Sequence, residues 1–179
     1  MLNVGVFCSA SETIDEKYFI ATRRFGEWMG SNKMTLVYGG ANMGLMECIA
    51  RAVKSKGGHV IGVAPAILEE HERVSAIPDE IIPTRNLSER KDIITGKSDI
   101  LVALPGGLGT LDEVFHVMAA ATIGYHTKKV VFYNVEGFYN ELLTFLDCLD
   151  TTGFARREIS NYYEVANTPE ELKKIIENL

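Results

Sequence analysis

Two glycine-rich stretches stand out as places where this chain could do chemistry: Gly39-Gly40-Ala41-Asn42-Met43-Gly44 and Pro105-Gly106-Gly107-Leu108-Gly109-Thr110. Glycine permits positive φ and lets backbone N–H groups approach an anion with no Cβ between them, and a helix N-terminus just beyond adds a favourable dipole. Phosphate is the guest such turns suit. The first stretch superficially fits G-x-x-x-x-G, but Leu45 and Met46 follow where a Walker loop needs Lys and then Ser or Thr. The second could open a dinucleotide fingerprint, yet Asp112 stands where its third glycine belongs. Either turn alone could serve tight strand-to-helix packing. Two of them in one short chain point to an anion.

Charged residues stand near these turns or at a neighbouring helix start. Asp112 and Glu113 follow the second, and beside an anion site a carboxylate must face another part of the ligand, such as a sugar hydroxyl or an attacking water. The local alternative is a capping box, with Thr110 capping the helix and Glu113 reaching back to its N–H. Arg90 and Lys91 open a helical segment, where a solvated charged face is the ordinary reading. Ser88-x-x-Lys91 spells a β-lactamase pair, but the accompanying S-D-N and K-T-G are absent. His59, His71, His116 and His126 show no ligand spacing, and no metal is implied. The three cysteines, Cys8, Cys48 and Cys148, are odd in number and without CxxC, which reads as buried thiols rather than a disulfide framework.

Such residues need a scaffold. Short apolar runs at Asn3–Phe7, Thr35–Tyr38, His59–Val63, Glu80–Pro83, Asp99–Ala103, Val130–Tyr133 and Tyr163–Ala166 read as strands. The segments between them have helical period, with stripes at Phe19, Phe25, Trp28 and Met29, at Leu45, Ile49, Ala52 and Val53, and at Leu111, Val114, Phe115, Met118 and Thr122. Alternating elements of this kind predict an α/β fold of three layers, a mainly parallel sheet with helices on both faces. Ligands then sit beyond the carboxyl ends of the strands, where Cys8-Ser9-Ala10-Ser11 joins the two glycine turns. The 179 residues, with no linker-like stretch, predict one domain over 1–179. Eighteen Lys plus Arg against 24 Asp plus Glu leave a formal charge of -6, which opposes binding to a nucleic-acid backbone. No run approaches the roughly 18 apolar residues of a membrane span, and Met1 to Ala10 has no basic start. A cytoplasmic location is expected. Met118 to Ala121 fits either core or a contact between subunits.

Pro105-Gly106-Gly107-Leu108-Gly109-Thr110-Leu111-Asp112-Glu113 matches PGGxGTxxE, Tyr38 to Ala41 with Gly44 to Met46 matches YGGAxxGLMG, and Leu87 to Lys91 is similar to MHxRK. In these motifs, their order and their spacing the chain resembles the Lonely guy (LOG) family, the cytokinin riboside 5′-monophosphate phosphoribohydrolases. Ser9 to Tyr18, Gly124-Tyr125-His126 and Gly137-Phe138-Tyr139 extend the likeness over nearly the whole chain. The resemblance implies a Rossmann-like fold, a homodimer, no cofactor, and hydrolysis of the N-glycosidic bond of nucleoside 5′-monophosphates to free base and ribose 5-phosphate. Carried over by position, Arg90 and Glu113 are the catalytic pair. Ser9, Gly40, Lys91, Gly106, Gly107, Gly109 and Thr110 are the substrate-binding residues, with the Gly106 to Thr110 turn on phosphate. The chain departs from the pattern at Glu47 (usually glycine), His116 (a common acid), Ala120 (often tryptophan) and Thr122 (glutamine), around or behind the base site. Members are often labelled lysine decarboxylases, which would need pyridoxal phosphate on a Schiff-base lysine. Lys91 is the lysine nearest the expected site. The rival reading is a non-catalytic nucleotide sensor or carrier of the same fold, which needs the phosphate cradle but no carboxylate at the reacting carbon.

Overall fold

The computed structural model describes residues 1–67, 71–155 and 158–179. Its seven strands, β1 (Asn3–Phe7), β2 (Thr35–Tyr38), β3 (His59–Pro65), β4 (Glu80–Thr84), β5 (Ile100–Ala103), β6 (Val130–Tyr133) and β7 (Tyr163–Ala166), form one sheet in the order β4-β3-β2-β1-β5-β6-β7. Every pairing is parallel, with Val4 opposite both Leu36 and Ile100, and Val131 opposite Val102 and Glu164. The central strands read VGVF, TLVY, ILVA and VVFY, unbroken apolar runs as expected of strands covered on both faces. The expected strands are the observed ones, with β3 running on to Pro65, β4 to Thr84, and β5 starting one residue later at Ile100.

Six helices cover the sheet among the described residues: α1 (Glu16–Ser31), α2 (Gly44–Ser55), α3 (Leu87–Lys97), α4 (Leu108–Thr122), α5 (Asn140–Thr151) and α6 (Pro169–Glu177). Phe25 and Met29 of α1, Leu45, Ile49 and Val53 of α2, and Leu172 and Ile176 of α6 pack with Val4, Val6, Leu36 and Val102 on one face. Ile94 of α3, Val114, Val117 and Met118 of α4, and Leu146 of α5 pack with Phe7, Val37, Leu101 and Phe132 on the other. The result is the three-layer α/β architecture that the alternation predicts. Among the described residues no helix is long and apolar enough to cross a membrane.

Two expectations are corrected. On α4 the inward line runs through Thr110, Glu113, Val114, Val117 and Met118, whereas Phe115 is 38% exposed and Thr122 is exposed. Polar Thr110 and Glu113 occupy the buried side of the first turns, so the apolar stripe read from sequence lies partly rotated away from the sheet. Of the cysteines only Cys8, just after β1, is buried; Cys48 is half-buried, its thiol 3.7 Å from the Phe19 carbonyl of α1, and Cys148 is exposed.

Candidate active site

The sheet changes direction of winding between β1 and β5: β2, β3 and β4 follow on one side of β1, and β6 and β7 follow on the other side of β5. Crossovers leave on opposite faces there, opening a crevice at the carboxyl ends of the two strands. The turns around it are bonded to one another. The Ser9 N–H donates to the Pro105 carbonyl at 3.2 Å, and the Ser9 carbonyl accepts from the Leu45 N–H at 2.9 Å. Ser9 thus joins the turn after β5 to the start of α2. Gly44, at φ +55°, backs onto this turn so closely that a Cβ would stand 2.5 Å from the Ala10 carbonyl carbon. Gly40 holds φ +73°, and its carbonyl accepts from the Ser75 N–H at 2.8 Å.

Arg90 enters from α3. Asn86 caps that helix by accepting from the Glu89 N–H at 2.9 Å, and Glu89 reaches back to the Arg85 N–H at 2.7 Å, so the first turn is firmly set. Arg90, in that turn, is only 8% exposed. Its Nε donates to the carbonyl of Val63 on β3 at 3.1 Å, and its guanidinium lies on Gly39, where a Cβ would overlap Nη2. The solvated-face reading of Arg90 is therefore corrected: a backbone carbonyl and a bare glycine receive it in the interior.

Glu113 comes from α4 and is 3% exposed. Nη1 of Arg90 stands 3.1 Å from its Oε1. That contact is ionic without the alignment of a hydrogen bond, and among the described residues neither carboxylate oxygen has a hydrogen-bond partner. Burial pushes the Glu113 carboxyl up to about 7; Arg90 and Lys91 hold it down, and Asp112 pushes it further up. The capping-box reading fails on geometry. Gly107 is the N-cap of α4, Thr110 is its third helical residue, and Glu113 lies a turn further on with its carboxylate turned into the protein.

The remaining candidates fall into two groups. Gly107 and Gly109 are exposed, and a Cβ on either meets nothing within 4 Å. Neither glycine is demanded by packing. Gly106 is different, since a Cβ there would collide with Thr110 Oγ1. Gly107 supplies no capping side chain, so the first N–H groups of α4 face the crevice as orphan donors. Lys91, 12% exposed at its side chain, places its ammonium 2.8 Å from both carboxylate oxygens of Asp112, so its charge is already engaged. The structure thus brings Ser9, Gly40, Arg90, Glu113 and the Gly106 to Thr110 turn to one end of the sheet, with Lys91 at the rim. Sequence reasoning missed the partners that seat Arg90. The Val63 carbonyl is backbone and leaves no sequence signal, whereas Gly39 was visible within the Gly-Gly pair but not separable from Gly40. Among the described residues no group of three or more His, Cys, Asp or Glu could hold a metal ion.

Residues 46–176 match the family model described as possible lysine decarboxylase. The chain is 37% identical over 174 residues to cytokinin riboside 5′-monophosphate phosphoribohydrolase LOG5 of Arabidopsis thaliana, covering 97% of this chain and 76% of the relative. It is 38% identical over 174 residues to probable cytokinin riboside 5′-monophosphate phosphoribohydrolase LOGL2 of Oryza sativa subsp. japonica, covering 97% of this chain and 71% of the relative. The chain belongs to this LOG family. In fold it is also similar to the molybdenum cofactor carrier protein MCP from Chlamydomonas reinhardtii, with TM-score 0.76, 24% identity, and 99% and 96% of the two chains covered.

Proposed function

We propose that this chain hydrolyses the N-glycosidic bond of AMP-like nucleoside 5′-monophosphates, N6-substituted cytokinin nucleotides among them, to free base and ribose 5-phosphate. One observation carries the reading: Glu113 is buried against Arg90, its Oε1 3.1 Å from Nη1, with neither carboxylate oxygen hydrogen-bonded among the described residues, next to a helix N-terminus suited to phosphate. A carrier needs the phosphate cradle and gains nothing from a buried carboxylate beside it. A hydrolase does. As the C1′–N bond breaks, its electron pair leaves with the base and positive charge gathers on the ribose ring, where the Glu113 carboxylate offsets it and accepts from ribose hydroxyls or water. Water adds its oxygen to C1′, and its protons end on the product hydroxyl and the base. Arg90, fixed by Val63 and Gly39, favours the ionised form of Glu113 and presents its guanidinium to the negative charge of the departing base or phosphate. The Gly106 to Thr110 turn holds the 5′-phosphate through backbone N–H groups.

The residues present do not fit the pyridoxal chemistry that a lysine decarboxylase would need, because Lys91, the lysine beside this crevice, is held by both oxygens of Asp112. A homodimer in the cytoplasm is the working state we assign. Exposed Phe115 on α4, with Ile123 and Tyr125 just beyond, offers an apolar face for the second copy. Sedimentation at micromolar concentration tests this, and a monomer throughout contradicts it. The functional test is incubation with a panel of nucleoside monophosphates and their nucleosides. Adenine and ribose 5-phosphate rising in step from AMP, with little from adenosine, supports the reading. Tight AMP binding without turnover would favour a carrier.

A further inference from the structure

Glu47 stands in the first turn of α2, away from Arg90 and Glu113, yet its carboxylate is turned inward and both oxygens are used. Oε2 accepts from the Ser75 hydroxyl at 2.6 Å, and Oε1 is 2.7 Å from Arg51 Nη2. Ser75 is engaged from every side. Its Oγ accepts from the Ile77 N–H at 3.1 Å, and its own N–H donates to the Gly40 carbonyl at 2.8 Å. The Asn42 N–H donates to the Arg73 carbonyl at 3.0 Å, and Ala41 bridges Val74, so residues 73–77 lie along the glycine turn after β2. That turn has two adjacent glycines and therefore wide backbone freedom, so its place depends on what holds it from outside. Gly39, the first of them, forms the floor under the Arg90 guanidinium. The contacts run unbroken from Glu47 through Ser75 and Gly40 to Gly39, Arg90 and Glu113.

We propose that Glu47 is a positioning residue for the reaction assigned above: its bond to Ser75 holds the Gly39-Gly40 turn where Arg90 needs it, and so keeps the guanidinium against Glu113. The proposal rests on that functional reading, and its test has one arm that does not need turnover. Glu47→Ala, Ser75→Ala and the double variant are compared with the native protein on AMP, after circular dichroism confirms the fold. Each single change is expected to lower kcat by about 10-fold, as displaced catalytic groups do, with KM little altered. The double variant should lose no more than either single, because both cut one link. Glu47→Gln should recover most of the rate, since its amide oxygen still accepts from Ser75. Arg90 is a group that holds the Glu113 carboxyl down. A carbon-13 titration of Glu113 should therefore find its midpoint higher in Glu47→Ala than in the native protein. Native kcat in a folded Glu47→Ala, multiplying losses in the double variant, or an unmoved Glu113 midpoint would overturn the proposal. Should Glu47→Ala not fold, Ser75→Ala alone decides by the same readings. A native protein that cleaves no nucleotide would overturn the functional reading, and the titration would still decide on Glu47.

Discussion

Gly39 has no side chain at the point where the Arg90 guanidinium lies, and a Cβ there would overlap Nη2. The two residues are complementary: a large cation can be buried beside β2 because the residue that follows the strand has no side chain. Gly39 shows no positive φ, so alanine would suit the backbone and disturb only Arg90. Gly39→Ala should therefore displace the guanidinium, lowering kcat by on the order of 10²-fold and costing about 1–3 kcal/mol of stability through overpacking. Steady-state kinetics with urea denaturation checks both. A fully active, fully stable Gly39→Ala variant would show that Arg90 is free to move.

The pH dependence of stability follows from Glu113. Its carboxyl is raised from 4.5 to about 7 in the folded protein, chiefly by burial. The native state thus binds this proton more tightly than the unfolded chain. The associated stability is fully present below pH 4.5 and is lost as pH rises through about 7, up to about 3 kcal/mol in all. Glu113→Gln cannot lose that proton. Urea unfolding at pH 5 and pH 8 should show the native protein weakening relative to the glutamine variant at the higher pH. Parallel pH profiles for the two proteins would place the Glu113 carboxyl in its ordinary range.

Much of the scaffold could be read in advance and some of its faces could not. Buried parallel strands are written as continuous apolar runs, so VGVF, TLVY, ILVA and VVFY announce themselves. The inward face of α4 is hidden because Thr110 and Glu113 are polar residues turned inward, against the amphipathic pattern. Their spacing also imitates a capping box, which only the position of Gly107 as N-cap removes. Arg90 reads locally as a surface charge. What buries it is the Val63 carbonyl and the Gly39 backbone, partners brought by the fold from other strands and marked by no local motif.

The glycines after β5 separate structural need from ligand need. A Cβ on Gly107 meets nothing within 4 Å, whereas one on Gly106 strikes Thr110. Gly107→Val should leave the melting temperature nearly unchanged while raising KM for AMP by about 10-fold or more, through loss of close approach to phosphate. Gly106→Ala should lower the melting temperature. The pair is read by differential scanning calorimetry beside kinetics, and unchanged KM in Gly107→Val would take phosphate away from this turn.

The central claim is that the buried carboxylate of Glu113 acts on the substrate. Glu113→Gln preserves shape and removes the charge, so the most direct measurement is its kcat on AMP in a protein shown to be folded. The expected result is a loss on the order of 10²-fold or more, the scale of general acid-base and electrostatic contributions to catalysis. Near-native turnover by the folded glutamine variant would contradict it and remove Glu113 from the mechanism.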